Sequence, residues 1–205
     1  LQPSSTGSVE MYKFAAASIL LALAVIVVAR YQDRYDRSLM PWDLRPVQNI
    51  IGLWSLQSKT GRYSELPPPD QIDFAINPIP KFGARAINIT HTYYDGNGAV
   101  LRHDYGYMPV KNATRRDPRV HVAYLTTSSE GWSMMEQGQA RGNKLTFHLK
   151  QFLSRSFGVG GGNLDLREFE RQFEQPDYNN LVMMVRAETG SETEMYTAYY
   201  QRVMG

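Results

Sequence analysis

Four histidines are the side chains of this 205-residue sequence that are best suited to bind a metal or move protons near neutral pH. They are His91, His103, His121 and His148. No two of them stand four residues apart, so the sequence lacks the imidazole pair on one helical face that is typical of zinc proteases. Asp104 follows His103, but neighbours on a strand point to opposite faces and do not form a base with its orienting acid. The spacing predicts histidines on strand surfaces or in the core, and identifies no enzyme.

A glycine-rich segment, residues 158–162, has some of the character of a phosphate-binding loop. A Walker loop needs lysine and then serine or threonine after its last glycine, whereas Asn163 and Leu164 follow here. We therefore interpret the segment as a flexible connection between strands.

Two methionine pairs and one tryptophan are a further candidate for a binding site. Met134, Met135, Met183, Met184 and Trp132 are soft or flat apolar side chains. Such side chains line cavities for flat apolar ligands. From these residues alone, however, we favour plain core packing over a ligand cavity.

The composition excludes several classes of function. The 22 basic and 20 acidic residues give a formal net charge of +2, which argues against wrapping nucleic acid or coating an acidic membrane. The sequence contains no cysteine, which excludes disulfides, zinc–thiolate sites, iron–sulfur clusters and cysteine nucleophiles within it.

An uncharged apolar run at residues 14–29 dominates the N-terminal part. As a helix it would be about 24 Å long, shorter than the roughly 30 Å hydrocarbon core of a bilayer. With Met11 as the start, Lys13 supplies a positive n-region, and Val27 and Ala29 suit a cleavage site before Arg30. We expect residues 1–10 to be an upstream extension and 11–29 a signal peptide, which predicts a secreted or secretory-lumen domain. The alternative is an uncleaved signal anchor, in which only residues 14–29 contact the membrane.

Two Asn-x-Ser/Thr sequons are consistent with export. Asn112 lies in a polar, basic stretch and is the predicted glycosylation site. Asn88 lies within an apolar alternation, and we interpret its sequon as a chance match.

The remaining chain divides into a predicted linker, residues 30–46, and a predicted domain, residues 47–205. The domain shows short alternating runs separated by turn residues, which is the all-β pattern. The clearest runs are 85–94, 100–110, 120–127, 132–139, 145–152, 166–173, 180–188 and 194–203. Hairpin signals such as Asp95–Gly98 join them, so the pattern predicts an antiparallel barrel or sandwich.

Six short motifs occur in an order that resembles one known family. They are Ile51–Trp54, Gly61–Tyr63, Phe82–Ile87, Leu101–Tyr107, Glu136–Gly138 and Met195–Val203. Together they resemble the nitrobindin family of haem-binding barrels. The resemblance implies an antiparallel, fatty-acid-binding-protein-like β-barrel of about ten strands.

The same resemblance implies that haem or another flat apolar ligand binds in the barrel. A histidine of the last strand ligates ferric haem in the family, and Met195 takes its place here. The resemblance also assigns Tyr63, Lys81 and Tyr199 to the pocket. A lone thioether is a weak ligand for ferric iron. We therefore expect neither a firm metal site nor chemistry at a haem iron.

Two alternatives stay open. One is a genuine ferric haem protein that uses Met195 or a relocated His91 and acts on nitric oxide or peroxynitrite, as a peroxynitrite isomerase. The other is a non-catalytic extracellular interaction module whose pocket is filled by side chains. If the family register holds, Met195 faces the interior with Thr197 and Tyr199, and Met195→His strengthens haemin binding at least tenfold, or about 1.4 kcal/mol.

Overall fold

The structure is a computed structural model that describes residues 34–76, 85–155 and 164–205. Two short 3-10 helices, Arg37–Leu39 and Trp42–Ile50, precede ten strands. The strands are β1 (Gly52–Arg62), β2 (Gln71–Ile76), β3 (Ala86–Tyr94), β4 (Val100–Lys111), β5 (Val120–Ser128), β6 (Trp132–Arg141), β7 (Lys144–Ser154), β8 (Leu166–Glu174), β9 (Asn180–Thr189) and β10 (Thr193–Met204).

Each strand pairs antiparallel with the next, and β1 pairs with β10 to close a barrel. Closure means that each of the ten described strands has a neighbour on both sides. The predicted all-β antiparallel barrel is confirmed, and the eight alternating runs coincide with β3–β10 within a few residues. Alternation gave no boundaries for β1 and β2.

The predicted linker is too long, because its C-terminal part belongs to the barrel. The compact unit begins at Tyr35. Tyr35, Met40 and Leu44 are buried in the hydrophobic core, since the 3-10 segments lay apolar side chains against the barrel.

The apolar run 14–29 lies outside the described residues, so its role as a signal peptide or an anchor stays a prediction. Within the described ranges, no helix has the length and apolar character needed to cross a bilayer.

Aromatic side chains fill one part of the lumen. Phe74 contacts Phe173 with ring centroids 5.5 Å apart, and Tyr124 contacts Phe147 at 5.2 Å, in edge-to-face geometry. These rings face inward because alternate residues of a strand point to the same face. Such pairs contribute about 0.5–1.5 kcal/mol each beyond the area that they bury.

Arg202 ties the last strand to the start of the barrel. Its guanidinium lies 4.1 Å from the ring centre of Trp54 and donates to the carbonyls of Ile51, Asn49 and Tyr178. Burial lowers the pKa of Arg202 to about 10, so the side chain stays charged at neutral pH.

Gly106 allows β4 and β5 to approach closely. A Cβ atom at this position would lie 1.7 Å from the carbonyl oxygen of Leu125. Because that oxygen belongs to the backbone, we expect Gly106→Ala to lower the free energy of unfolding by about 2 kcal/mol or more in urea denaturation. Gly96→Ala is the matched control, since no atom lies within 4 Å of its Cβ position, and it should change stability by less than about 0.5 kcal/mol. Equal stability of the two variants would contradict the strand packing described here.

Candidate functional site in the barrel interior

A chain of buried polar groups crosses the lumen. His91 Nε2 lies 2.6 Å from Tyr124 Oη, and His91 Nδ1 lies 3.5 Å from Asp104 Oδ2. Tyr93 Oη donates to the same Asp104 oxygen at 3.0 Å. Burial lowers the pKa of His91, and the nearby Asp104 only partly offsets this effect. Burial alone would raise the pKa of Asp104, but His91 and then Arg102 outweigh it and hold that pKa below its usual range. His91 is therefore held neutral beside an ionised carboxylate.

Two guanidinium groups lie on the inner face and each has a carboxylate partner. Arg171 contacts both oxygens of Glu136 at 3.2 Å. Arg102 contacts Asp104 at 3.3 Å and Glu130 at 3.1 Å, and it stacks 3.7 Å from the ring centre of Tyr93. A buried charge without a partner is strongly destabilising, so these pairs are needed for the fold as well as for any ligand.

Sequence analysis missed this cluster, although a signal was present. Each charged residue of the cluster is separated by an even number of positions from a buried apolar residue of the same strand. The pairs are Arg102 and Asp104 with Met108, Glu136 with Met134, and Arg171 with Phe169. Period-two alternation therefore puts these charged residues on the apolar face of their strands. A charged residue on that face is expected to have a buried partner.

A small cavity lies beside the cluster. Its volume is about 20 Å³, which is room for about one water molecule. Trp132, Met134 and Met183 line it, together with Phe169 and Tyr196. Trp132, Met134 and Met183 are buried in the hydrophobic core, which agrees with the interpretation of plain core packing, and the void beside them has room for about one water molecule. Met135 and Met184 occupy the alternate positions and are only half-buried.

Residues 64–69, here called the cover segment, close one side of this cavity. Glu194 is fully buried and accepts hydrogen bonds from Glu65 N at 2.6 Å, Leu66 N at 3.1 Å and Ser64 Oγ at 3.3 Å. At the other end of the segment, Tyr200 Oη donates to the carbonyl of Pro69 at 3.0 Å. Two side chains of β10 therefore hold the cover segment against the barrel.

The prediction that Met195 faces the interior is wrong. Met195 is 57% exposed and Tyr199 is 43% exposed, whereas Glu194, Tyr196 and Tyr200 are buried. The sequence predicted the alternation along β10 correctly, but the face that contains Tyr196 and Tyr200 points inward, and the face that contains Met195 points outward. Glu194 and Tyr200 set that face through their bonds to the cover segment.

The other predicted pocket residues have different positions. Tyr63 is half-buried at the barrel mouth, where its ring packs edge-on against Tyr196 at 5.6 Å and Lys59 lies 4.8 Å above it. Lys81 lies outside the described residues. Asn112 is half-buried, and its side-chain nitrogen donates to the carbonyl of Asp43 at 2.9 Å. A glycan on that nitrogen would adjoin this contact, and glycosylation stays a prediction.

The described interior offers no side chain suited to ligate haem iron. Met195 and Tyr199 are outside, and both ring nitrogens of the buried His91 are engaged by Tyr124 and Asp104. In the described ranges no cluster of three or more potential metal ligands occurs. No step through haem iron is derived for this chain.

The outward direction of Met195 gives a first test of the site. We expect Met195→His to leave haemin affinity within about twofold of the natural chain, because the imidazole cannot reach the lumen. Absorbance titration in the Soret region measures this affinity. A gain of tenfold, about 1.4 kcal/mol, would show that β10 presents its other face to the ligand.

Glu136 gives a second test, through pH. Burial raises its pKa to about 7, and Arg171 limits the rise. Because the unfolded value is near 4.5, the contribution of Glu136 to stability is full below pH 4.5 and is lost as pH rises to about 7. The difference in unfolding free energy between the natural chain and Glu136→Gln should therefore fall across this range, by up to about 3 kcal/mol.

Urea denaturation at a series of pH values measures this difference. The lowered pKa of His91 acts in the opposite direction, but it is present in both proteins and cancels. Glu168→Gln is the control, since Glu168 is an exposed partner of Arg186. A difference that stays constant with pH would contradict the raised pKa of Glu136.

Comparison with known proteins agrees with the barrel. The crystal structure of Rv2717c from M. tuberculosis is similar, with a TM-score of 0.57 and 15% identity, over 80% of this chain and 98% of that one. No curated protein matches the chain significantly. The profile of the THAP4-like, heme-binding beta-barrel domain matches residues 43–202, and the nitrobindin-like resemblance is thereby confirmed. The chain belongs to this family of ligand-binding β-barrel domains.

Proposed function

We propose that the barrel binds a flat apolar molecule that carries an acidic group, in the interior space beneath the cover segment. The observation that carries this proposal is the lining of the interior cavity. Trp132, Phe169, Met134 and Met183 offer flat or deformable apolar surfaces on its walls. Ligand sites combine such walls with a few placed polar groups.

The two guanidinium groups supply the polar part of the site. Arg102, Arg171 and Asp104 all line the cavity. Arg102 Nε and Asp104 Oδ1 are buried and lie 3.3 Å apart without an aligned hydrogen bond. Each atom thus has unused hydrogen-bonding capacity, and a ligand carboxylate can bond with a guanidinium in a charge-assisted way. This is the reason for assigning an acidic group to the ligand.

Entry of a ligand requires the cover segment to move, because a 20 Å³ cavity holds only about one water molecule. The cover segment is suited to such movement. Residues 67–69 are three consecutive prolines, which have no N–H to bond with the barrel. Its N-terminal half is held by Glu194, by a hydrogen bond from Ser64 to Glu192 and by one from Ser191 to Glu65. Displacement of this half therefore breaks a small set of hydrogen bonds and exposes the buried Leu66.

The proposed binding needs no iron. The acidic group and the flat body of the ligand provide its recognition, so an iron-free porphyrin is a suitable probe. The function that follows is that of a carrier or sensor.

The small cavity volume favours a second candidate function. In it the interior is permanently filled, and the domain is a non-catalytic interaction module. The two candidates differ in whether any porphyrin enters the barrel.

The test compares protoporphyrin IX with haemin on the full chain. We expect both to bind with affinities within about threefold of each other, measured by Soret absorbance. Glu194→Gln should tighten both about tenfold, since a neutral acceptor holds the cover segment more weakly than a carboxylate. Glu188→Gln is the control, because Glu188 pairs with Arg186 and does not contact the cover segment.

Each contrary outcome has a definite meaning. Binding of haemin without protoporphyrin IX would show iron ligation and overturn the proposal. Absence of binding by both porphyrins, in the natural chain and in Glu194→Gln, would establish the filled-interior candidate instead.

A further inference from the structure

The outer wall of the barrel carries a second concave site, unrelated to the interior. A groove of about 510 Å³ crosses strands β4–β7 on their solvent face. This volume is within the range of small-molecule sites, about 300–1,000 Å³. The groove is open without any movement of the chain, in contrast to the cavity of about 20 Å³ inside.

The floor of this outer groove is apolar and made of small residues. Ala123 of β5 and Gly138 of β6 lie at its base, with Pro109 at one side. A Cβ atom at Gly138 would lie 1.6 Å from the carbonyl oxygen of Thr146. The missing side chain lets β6 approach β7 closely at this point and leaves the groove unfilled.

Polar donors stand around this floor in two rows. Strand pairing puts Lys111 next to His121, and His121 next to Gln139, in one row across three strands. A second row contains Gln137 and His148. Neighbouring strands are about 4.8 Å apart, so donors of both rows can reach one ligand.

The charge of the outer groove is positive. Lys111 and Lys150 line it and have no ion pair within the described ranges. His121 contacts Asp117 at 2.6 Å, and His148 lies 3.8 Å from Glu170. These two carboxylates orient the imidazoles.

The β4–β5 connection adds more positive charge at one end of the groove. It contains Arg115, Arg116 and Arg119, which are all exposed. Only Arg119 has an acidic partner among the described residues, and that partner is Asp117. With Lys111, this end has four basic side chains against one acidic side chain, Asp117. Lys150 lies further along the groove, on β7.

We propose that this outer groove binds a small phosphate ester. A phosphate monoester carries about 1.5 to 2 negative charges near neutral pH and three acceptor oxygens, which match unpaired lysines and nearby arginines. The organic part of the ester packs on the apolar floor. The volume limits the ligand to small-molecule size, so the phosphate belongs either to a free metabolite or to one phosphorylated side chain of a partner protein.

The experiment measures binding of ADP to the full chain by isothermal titration calorimetry. We expect a Kd of about 0.1 mM, corresponding to roughly 5.5 kcal/mol, and weaker binding of inorganic pyrophosphate, which lacks an organic body. The double variant Lys111→Gln/Lys150→Gln should weaken ADP binding at least tenfold. Lys59→Gln/Arg62→Gln, with the same charge change on β1, should alter it less than twofold.

A phosphoserine peptide distinguishes the two sources of phosphate. If the peptide binds at least tenfold more tightly than ADP, and Lys111→Gln/Lys150→Gln abolishes this binding, the proposal is supported and a partner protein supplies the phosphate group. If ADP binds at least tenfold more tightly than the peptide, the proposal is supported and a free metabolite supplies the phosphate group. Glu194→Gln should leave ADP binding unchanged, which separates this site from the barrel interior.

Two results would overturn the proposal. One is the absence of ADP, pyrophosphate and phosphopeptide binding at millimolar concentration, or binding that is equal in the lysine double variant. The other is binding of single-stranded RNA, lost in that variant, without any binding of ADP, because the surface would then serve a macromolecule.

Discussion

Pairing of buried guanidinium groups with carboxyl groups is the constraint on which this barrel depends. Arg171 and Glu136 stand on β8 and β6, which are separated by β7, so their contact bridges β7 on the inner wall of the barrel. Each of these two residues is nearly or completely inaccessible to water. Loss of one partner from a buried pair destabilises a protein by about 3–5 kcal/mol. The pair therefore fixes which face of each strand points inward, and the registers of β6, β7 and β8 must agree with it.

The same network determines how much room a ligand has. Tyr124 connects the two halves of the network, since its hydroxyl contacts His91 and its ring faces Arg171 at 4.6 Å. The polar side chains of this network extend into the lumen to form hydrogen bonds and ion pairs with one another. They therefore occupy space that would be open to a ligand if the lining were apolar. In a family of haem-binding barrels, this member has an interior organised around its own charges. A roomier concave surface is instead on the outer wall, where no charge of this buried network has to be satisfied.

Local pattern was sufficient for most of the fold and insufficient for the direction of the decisive side chains. Alternation located β3–β10, because half-buried strands of a closed barrel repeat with period two. On β10, alternation did not determine which of the two faces of the strand points into the barrel. Hydrophobicity favours Met195 inward, yet the carboxylate of Glu194 is the buried group. Its donors come from residues 64–66, about 130 positions earlier in the chain, and no local pattern contains a contact of that range. Trp132 and Met134 were singled out by side-chain type alone, and their common face follows from alternation along one strand.

The hold of Glu194 on the cover segment has an energetic consequence for the proposed interior site. Three donors converge on one carboxylate, and hydrogen bonds to charged groups contribute about 1.5–3 kcal/mol each. If only the open form accepts a ligand, the apparent affinity falls by the fraction of molecules that are open. Each 1.4 kcal/mol needed for opening reduces that affinity about tenfold. A well-lined interior can thus show weak binding, because the contacts that hold the cover segment, those of Glu194 among them, lower the affinity that a titration measures.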